Sequence, residues 1–580
     1  MSHVDYQLQP RFEAEGRLPE RALGRAMARW VLGHGGSEAL ASLAARAAVA
    51  ELHGDTALAP LPAEDLPALR AEPLVGDGRV RTPFVLDAEG RFYLWRNFLH
   101  EGEVAAALAS LLAAATPLGM DETTLAGLFP GGDPARDGAQ REAVRAVGGR
   151  RLMVLTGGPG TGKTTTVLRM LLRLLGDGIA ARDGIAVAAP TGKAAQRLVQ
   201  SLREEGERLR GVLPAHWAAH LDALPTEGAI TVHRLLGWSP GRNRYARHAG
   251  DPVQAGVVVV DEASMLDLHQ LRALLDALRP GATLVLVGDA DQLDPVGAGS
   301  VLMDLVAVLE ARDPGSLVRL RHSFRAVAPL VALNEAVRDG DPAALESALA
   351  GSDGVARAFP VEDAAALSRR LREWSLGLAD GGPPPPLPDG EAAEAVVAGQ
   401  LRALASRQLL CALRDGPFGA EAANLAIERR LRQAWGVPAD AAWYPGRQVM
   451  VTRNDYGARL FNGDVGLCLR GADGQLRVWF AAPGGEGVRA LPPSALPAFA
   501  PAFAITIHKA QGSEYGQAAV LLPPDPEHRI LSRQLLYTGV SRAKQAVQLW
   551  APAESIASAL ARRARRAGGL APRLLASLAG

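Results

Sequence analysis

The segment Arg151–Met170, RLMVLTGGPGTGKTTTVLRM, constrains this chain more than any other stretch. It predicts a buried strand over Arg151–Thr156, then a glycine-rich loop, then a helix over Thr164–Leu175. Glycines let successive backbone N–H groups surround phosphate oxygens, and the positive end of the following helix points at the same anion. The alternative is a glycine-rich turn that holds no ligand.

The loop has the spacing G-x-x-x-x-G-K-[ST], which is typical of sites for nucleoside triphosphates. Lys163 is expected to reach the β- and γ-phosphates, and the Thr164 hydroxyl is expected to ligate Mg²⁺. The residues predicted to bind the nucleotide are Gly157, Gly158, Pro159, Gly160, Thr161, Gly162, Lys163, Thr164 and Thr165. The loop alone leaves open whether that nucleotide is ATP or GTP.

Two later strands end in polar residues that suit hydrolysis of such a nucleotide. Val257–Met265 reads VVVVDEASM, so Asp261 is expected to hold Mg²⁺ and Glu262 to polarise the attacking water. Thr283–Gln292 reads TLVLVGDADQ, and Gln292 either responds to the γ-phosphate or caps its own loop. Upstream, Gln140 is a candidate partner for the adenine edge, because an amide offers a matched donor and acceptor.

Further polar segments could bind phosphate in nucleotide or nucleic acid. In APTGKAAQRL, Thr191 and Lys193 follow a predicted strand, and their residue types do not distinguish a nucleotide from a nucleic-acid backbone. In AITIHKAQGSEY, the candidate contacts to a DNA backbone are Thr506, His508 and Lys509. Two distant arginines, Arg325 in RHSFRA and Arg542 in YTGVSRAK, could stabilise γ-phosphoryl charge when two domains close.

Composition narrows the class of protein. A length of 580 residues predicts about three or four domains. Cys411 and Cys468 are the two cysteines and lie far apart in sequence, which argues against a cysteine-based zinc site and suits a reducing cytoplasm. We expect neither a signal peptide nor a membrane span. Because the formal net charge is zero, any nucleic-acid site must be a local basic groove.

The chain divides into three predicted parts. Residues 1–115 suggest a small helical domain, in which RFYLWRNFL (Arg91–Leu99) is either core or a docking surface for a partner chain. Residues 116–328 alternate strands and helices and predict a doubly wound α/β domain, with strands at Leu152–Thr156, Ile185–Ala189, Val257–Val260 and Leu284–Val287. Residues 329–580 suggest a second α/β domain with a small β-barrel inserted at about 435–500 and a basic helix in Ala553–Gly580.

Taken in order, these segments resemble superfamily 1 helicases, and specifically the RecD group. The resemblance covers roughly Gln140 to the C-terminus and includes three further segments typical of the group, TVHRLLG, CALRDGPFGAEAAN and TRNDYGARLFNGDVG. The segments that resemble motifs I, Ia, II, III, IV, V and VI are GGPGTGKTT, APTGKAAQRL, DEASM, GDADQL, SFR, TIHKAQGSE and LLYTGVSRAK. The resemblance implies two RecA-like P-loop motor domains, an SH3-like inserted barrel, and ATP with Mg²⁺ as the fuel for 5′→3′ translocation on single-stranded DNA.

The RecD group has two branches, and the sequence favours one of them. The short N-terminal part and FYLWRNFLHE are similar to RecD subunits of RecBCD exonuclease V, rather than to stand-alone RecD-like helicases. The resemblance then implies RecB-like and RecC-like partners, double-strand DNA ends as substrate in recombinational repair, and nuclease activity in a partner chain. It also implies a strand-separating hairpin at about residues 237–255, for which a plain surface loop is the alternative. The competing functions are a stand-alone helicase and a non-motor ATP switch.

Some positions depart from the pattern or remain ambiguous. Pro295 stands where a small polar residue is expected, and its missing N–H puts a backbone contact there in doubt. Ser541 replaces a more usual threonine, a minor change. Tyr456 and Phe461 are either base-stacking residues or core.

Overall fold

The structure is a computed structural model that describes residues 18–179, 184–225, 230–239, 241–324, 326–455, 457–482 and 487–579. Within these ranges the strands form four sheets, and two of them are parallel sheets with a hydrophobic core on each face. None of the helices so described combines the length and apolarity needed to cross a membrane.

The N-terminal part combines helices with short strands, whereas the sequence indicated a helical domain. Its elements are α1 (Leu18–Gly33), α2 (Glu38–Leu52), β1 (Ala57–Leu58), α3 (Leu66–Arg70), β2 (Val75–Gly76), β3 (Phe84–Leu86) and β4 (Phe92–Leu94). The strands pair in the order β1-β4-β3-β2. Phe84 and Phe92 are buried and stack with ring centroids 5.3 Å apart, so the aromatic segment contributes to the core. Arg96 and Leu99 of the same segment are exposed.

The first parallel sheet carries the strands that the sequence predicted. Its strands are β5 (Leu152–Gly157), β6 (Ile185–Ala189), β7 (Ile230–Thr231), β8 (Val257–Val260), β9 (Thr283–Gly288) and β10 (Leu317–Leu320), in the spatial order β10-β5-β9-β8-β6-β7. The helices of this region are α4 (Trp95–Ala113), α5 (Glu122–Gly127), α6 (Pro134–Val147), α7 (Lys163–Gly176), α8 (Gly192–Arg210), α9 (Ala215–Ala218), α10 (Val232–Leu235), α11 (Leu268–Asp276) and α12 (Val301–Arg312). The continuous valine run of β8 is buried throughout, as expected for a strand covered on both faces.

The second parallel sheet has the same doubly wound architecture. Its strands are β11 (Ala356–Phe359), β12 (Arg407–Cys411), β18 (Ala504–Thr506), β19 (Tyr515–Leu521) and β20 (Ala543–Trp550), in the spatial order β11-β20-β19-β12-β18. Its helices are α13 (Ala328–Asp339), α14 (Pro342–Ala350), α15 (Ala364–Ala379), α16 (Glu391–Leu404), α17 (Ala420–Ala434), α18 (Arg533–Val540), α19 (Ala553–Ala561) and α20 (Leu570–Ala579). Each of the two parallel sheets is the centre of one α/β domain, and we name them the first and the second motor domain after the pair of domains that the sequence resemblance implied.

An antiparallel sheet is inserted in the second motor domain. Its strands are β13 (Gln448–Val451), β14 (Val465–Arg470), β15 (Leu476–Ala481), β16 (Val488–Leu491) and β17 (Phe499–Pro501), in the spatial order β16-β15-β14-β13-β17. The described pairings leave β16 and β17 at the two edges, so closure into a small barrel stays a prediction. The proline-rich segment before α16 joins this sheet, since the Leu387 N–H donates to the Arg470 carbonyl over 2.8 Å.

Two helices pack across the predicted domain boundaries. Helix α4, which lies within the predicted N-terminal domain, buries Val104 and Leu108 in the core of the first motor domain. Helix α20, assigned to the second motor domain, buries Leu570 and Leu574 in that same core. An amphipathic helix shows in its sequence that one face is buried, but not which domain covers that face.

The basic helix predicted in Ala553–Gly580 is interrupted at ARRARRAGG. Residues 562–568 carry no regular secondary structure and connect α19 to α20. The Ala567 N–H donates to Asp55 Oδ1 (2.8 Å), and the Ala567 carbonyl accepts from the Thr56 N–H (2.9 Å). A Cβ atom on Gly569 would clash with the Tyr93 hydroxyl. Specific contacts with the N-terminal part therefore outweigh the helical propensity of this segment.

Replacing Glu101 with glutamine is expected to destabilise the protein by about 2–4 kcal/mol. The Glu101 carboxylate is 1% exposed, accepts from Thr56 Oγ1 (2.5 Å) and the Gly569 N–H (2.9 Å), and lies 3.3 Å from Arg573 Nε. Loss of its charge leaves the partly buried Arg573 without compensation. Urea unfolding monitors the change, and hydrogen exchange is expected to rise in α20.

The matched control is Glu103→Gln, which removes a half-exposed carboxylate of the same helix from its ion pair with Arg272. Its expected cost is below about 1 kcal/mol because solvent screens the pair. Equal destabilisation by the two variants would contradict a special role for Glu101.

Candidate functional site

The glycine-rich loop joins the end of β5 to the start of α7, at the carboxyl edge of the first parallel sheet. Gly162 caps the helix with φ 83°, a left-handed conformation that glycine adopts without strain. The Lys163 ammonium donates to the carbonyls of Gly157 (2.7 Å) and Gly158 (3.0 Å), and Thr161 Oγ1 donates to the Gly158 carbonyl (2.8 Å). These contacts fold the loop over the positive end of α7, an arrangement that suits a phosphate chain.

Asp261 and Glu262 follow β8 beside this loop. Desolvation and the neighbouring Glu262 carboxylate raise the pKa of Asp261 to about 6, while Lys163 acts in the opposite direction. Glu262 has φ 52° and ψ 39°, a left-handed conformation that costs energy for a residue with a Cβ and therefore fixes the side chain's direction. The backbone N–H of Glu262 donates to Asp261 Oδ1 over 2.9 Å.

The donor set at this point fits Mg²⁺. The Glu262 carboxylate beside the desolvated Asp261 raises the pKa of Asp261, and a divalent cation would offset this crowded negative charge. The Thr164 hydroxyl lines the same cleft. Among the described residues no group of three or more His, Cys, Asp or Glu side chains is placed to hold a metal, and Mg²⁺ normally uses one or two carboxylates plus substrate phosphates.

Gln292 makes the contact within its own loop that the sequence offered as one alternative, and its role toward the γ-phosphate stays a prediction. Its Nε2 donates to Asp289 Oδ2 over 2.9 Å, which is a contact within its own loop. Its Oε1 is buried without a hydrogen-bond partner among the described residues, and the side chain lines the cleft with Lys163 and Glu262. A buried carbonyl oxygen without a donor is costly, so this atom is an acceptor available to a ligand or water.

A second pocket adjoins the loop. Gln140 is buried and its Nε2 donates to the Thr161 carbonyl over 3.4 Å. Phe324, which is 46% exposed, and Phe129 line the same pocket, and the Phe324 N–H donates to the Gly160 carbonyl over 2.9 Å. Sequence reasoning missed both aromatic residues. The available signal was the position of Phe324 beside Arg325, which itself lies outside the described residues.

The second motor domain supplies the opposite wall of the cleft. Arg542 is 2% exposed, and its guanidinium donates to the carbonyls of Thr538 (3.0 Å) and Ser513 (3.4 Å) and to Ser541 Oγ (3.0 Å). The sequence-predicted residues that line this one cleft are Pro159, Gly160, Thr161, Gly162, Lys163, Thr164, Thr165, Asp261, Glu262, Gln292 and Arg542. Gly157 and Gly158 line a neighbouring pocket on the other side of the loop.

Lys193 and Arg197 join the two motor domains beside the cleft. Lys193 Nζ donates to Ser513 Oγ (2.8 Å), and desolvation lowers the pKa of Lys193. Arg197, which the sequence reading did not single out, donates to the Gly512 carbonyl (2.9 Å) and to Glu514 Oε2 (2.6 Å). Thr191 caps α8 by accepting from the Ala194 N–H over 3.2 Å. These residues connect α8 to the segment that precedes β19.

The remaining nucleic-acid candidates lie apart from the cleft. The turn His508–Ala510 follows β18, and Thr506 Oγ1 accepts from the Lys509 N–H over 3.3 Å. Lys509 is exposed, whereas desolvation lowers the pKa of His508. The Phe461 ring packs on α8, since a Cβ on Gly192 would lie 2.5 Å from it. Tyr456 lies outside the described residues.

Two predicted loop features have specific surroundings. In the region of the expected hairpin, antiparallel bridges join Ser239 to Arg244 and His248 to Asp251. The Pro295 carbonyl accepts from the Arg566 guanidinium, which also donates to the Gly297 carbonyl over 2.5 Å. Pro295 thus uses its acceptor in a structural contact that needs no N–H.

The chain is similar to several known families and proteins. Residues 140–298 match the AAA domain family, and residues 501–550 match the UvrD-like helicase C-terminal domain family. The RecBCD enzyme subunit RecD of Mycobacterium tuberculosis is 40% identical over 527 residues, which are 89% of this chain and 85% of that protein. The ATP-dependent RecD2 DNA helicase of Deinococcus radiodurans is 31% identical over 83% of this chain and 56% of that protein. A crystal structure of Pif1 helicase from Candida albicans has a TM-score of 0.40 and 17% identity, covering 75% of this chain and 97% of that one. By its identity to a RecD subunit over most of both chains, this chain belongs to the RecD family.

Proposed function

We propose that this chain is an ATP-dependent DNA helicase subunit whose motor domains close and open around the nucleotide. The observation that carries the proposal is the single cleft lined by Lys163, Glu262 and Gln292 from one motor domain and by Arg542 from the other. A site divided in this way changes shape when the domains move. Hydrolysis and domain motion are therefore coupled, because both motor domains contribute residues to the same cleft.

The residues of the cleft have complementary roles in hydrolysis. Glu262 polarises the water that attacks the γ-phosphorus, and Gln292 Oε1 accepts a hydrogen bond from that water. Lys163 and Arg542 stabilise the charge that spreads over the γ-phosphoryl oxygens as the bond to the leaving oxygen breaks. Asp261 and Thr164 would hold Mg²⁺, which when bound neutralises charge between the β- and γ-phosphates. Phe324 stacks on the base, and Gln140 faces its edge.

Contacts outside the cleft suggest how the nucleotide state reaches DNA. Lys193 and Arg197 attach α8 to residues 512–514, directly after the turn that carries His508 and Lys509. Domain closure on ATP and opening on ADP would shift this turn relative to α8. We propose that Thr506, Lys509 and the exposed Arg244 contact the backbone of single-stranded DNA, with 5′→3′ polarity carried over from the RecD resemblance.

The assembly follows from the family. The relative with 40% identity is named a RecBCD enzyme subunit, so we propose RecB-like and RecC-like partners in the cytoplasm, acting at double-strand DNA ends during repair. The N-terminal part would dock on the RecC-like chain, the inserted sheet would complete a small SH3-like barrel, and nuclease activity would reside in a partner.

The test measures ATPase activity and unwinding on duplexes with a 5′ or a 3′ tail, with and without RecB-like and RecC-like chains. Unwinding from 5′ tails is expected, and a preference for 3′ tails would contradict the polarity. Full unwinding by a monomer of this chain alone would favour a stand-alone helicase. Nucleotide binding without DNA-stimulated hydrolysis would favour a non-motor switch.

Replacing Phe324 with alanine is expected to raise the KM for ATP about 5- to 150-fold, since base stacking on an aromatic ring contributes about 1–3 kcal/mol. The effect on kcat is expected to stay within about twofold because the phosphate contacts are intact. The control is Trp30→Ala, an aromatic residue of similar exposure (40%) in the N-terminal part. An unchanged KM in Phe324→Ala would place the base elsewhere.

A further inference from the structure

One hydrogen-bond acceptor joins the two motor domains behind the nucleotide cleft. Asp289 Oδ2 accepts from Tyr537 Oη over 3.2 Å and from Gln292 Nε2 over 2.9 Å. Asp289 and Gln292 follow β9 in the first motor domain, whereas Tyr537 lies on α18 in the second. Their exposed fractions are 1%, 4% and 5%, respectively, so water does not compete for these bonds.

The arginine of the cleft directly follows the same helix, which ends at Val540. Tyr537 precedes Arg542 by five residues, and Thr538 lies between them. Thr538 Oγ1 accepts from the Leu293 N–H over 2.9 Å, and the Thr538 carbonyl accepts from Arg542 Nε over 3.0 Å. Tyr537 and Thr538, two consecutive residues of α18, therefore hold the loop that carries Gln292. Arg542 lies in the cleft just after the end of this helix.

The same tyrosine lies against the glycine-rich loop. A Cβ on Gly158 would lie 2.8 Å from Tyr537 Oη, so the hydroxyl packs directly against the loop backbone. Burial and the nearby Asp289 raise the pKa of Tyr537 well above its usual value. The hydroxyl thus remains protonated and able to donate.

The orientation of the Gln292 amide follows from these bonds. Because Nε2 is fixed on Asp289, Oε1 points away from Asp289 and lacks a partner among the described residues. If Asp289 turned, the amide would lose the contact that distinguishes its two ends. The Tyr537 bond restricts that turn, and it exists only while α18 lies against the first motor domain.

We propose that Tyr537 is a positioning residue that, through Asp289, orients the Gln292 amide for hydrolysis only when α18 has brought Arg542 to the cleft. This inference rests on the proposed function, since it requires Gln292 to act on the attacking water. Hydrolysis would then need both Tyr537 and Arg542, which one movement of α18 and the residues after it brings to the cleft together. This requirement links turnover to domain closure.

A double-mutant cycle with Tyr537→Phe, Gln292→Ala and the combined variant tests the inference in the full chain with single-stranded DNA. Tyr537→Phe is expected to lower the kcat for ATP about 10-fold with the KM within about twofold, because it removes one hydroxyl and no nucleotide contact. In the Gln292→Ala background the same change is expected to lower kcat by less than about twofold, since its route is already lost.

The matched control is Tyr444→Phe. Tyr444 is also buried and its hydroxyl donates to a carboxylate, Glu428 Oε1, over 3.1 Å, but it lies away from the cleft. Its kcat is expected to equal that of the wild type. If the two variants instead lower kcat independently, so that their fold-losses multiply in the double variant, the positioning role of Tyr537 is overturned. The proposed role of Gln292 would still stand. An unchanged kcat in Gln292→Ala would overturn both this inference and the proposed role of Gln292.

Discussion

Replacing Lys163 with glutamine is expected to lower the kcat of DNA-stimulated ATP hydrolysis by about 10²–10³-fold or more. The ammonium group lies at the positive end of α7, within hydrogen-bond distance of the glycine-rich loop. Glutamine is neutral and shorter, so it cannot offset the charge that develops on the γ-phosphoryl oxygens. Phosphate release at saturating single-stranded DNA measures the effect.

The folded structure is expected to survive this change. Lys163 is only half-buried, and its hydrogen bonds are to the carbonyls of its own loop. A matched control is Lys509→Gln, which removes an exposed lysine of the second motor domain. At saturating DNA that variant should retain kcat within about twofold while requiring more DNA for half-maximal stimulation. Wild-type turnover in Lys163→Gln would show that the loop does not hold the triphosphate.

The sequence was sufficient to locate four of the six strands of the first parallel sheet, but not β7 and β10. Each of β5, β6, β8 and β9 is a continuous apolar run, and a strand buried on both faces needs no alternation. The predicted and observed bounds differ by a residue or two at most. The glycine-rich loop was equally accessible, because its chemistry lies in consecutive residues.

Features that depend on distant parts of the chain could not be predicted in this way. The apolar stripe of α20 is visible in the sequence, but its partner could have been either motor domain. The segment ARRARRAGG was predicted to be helical because arginine and alanine favour helices. In the structure the guanidinium of its Arg566 instead donates to the carbonyls of Pro295 and Gly297. Such contacts leave no periodic signal.

The residues of the cleft likewise divide into those that the sequence could locate and those that it could not. Lys163, Asp261 and Glu262 were predicted as a set because the glycine-rich loop and the Asp261–Glu262 pair each follow a strand of one sheet, and strand ends share an edge. Arg542 was placed opposite them only through the motif that surrounds it. Phe324 was missed because an aromatic residue in an irregular segment lacks a pattern that separates stacking from core packing.

Replacing Arg542 with alanine is expected to lower kcat by about 10³-fold or more, while ATP binding weakens by less than about 10-fold. The guanidinium supplies charge to the cleft from the second motor domain, and the glycine-rich loop that holds the nucleotide stays intact. Single-turnover hydrolysis and nucleotide titration separate the two effects. The variant also leaves the Thr538 and Ser513 carbonyls without their donor, so thermal unfolding should accompany the assay.

Arg542→Lys distinguishes charge from geometry at the same position. The guanidinium donates through Nε, Nη1 and Nη2 to three different acceptors, which fixes its plane in the buried wall. A lysine keeps the charge but has one nitrogen on a flexible stem, so kcat is expected to remain about 10²-fold below the wild type. The control is Arg477→Ala, an arginine on β15 of the inserted sheet that pairs with Asp473 near the surface and should leave kcat unchanged. Full activity in Arg542→Lys would mean that charge alone suffices, whereas full activity in Arg542→Ala would remove the second motor domain from the chemistry of the cleft.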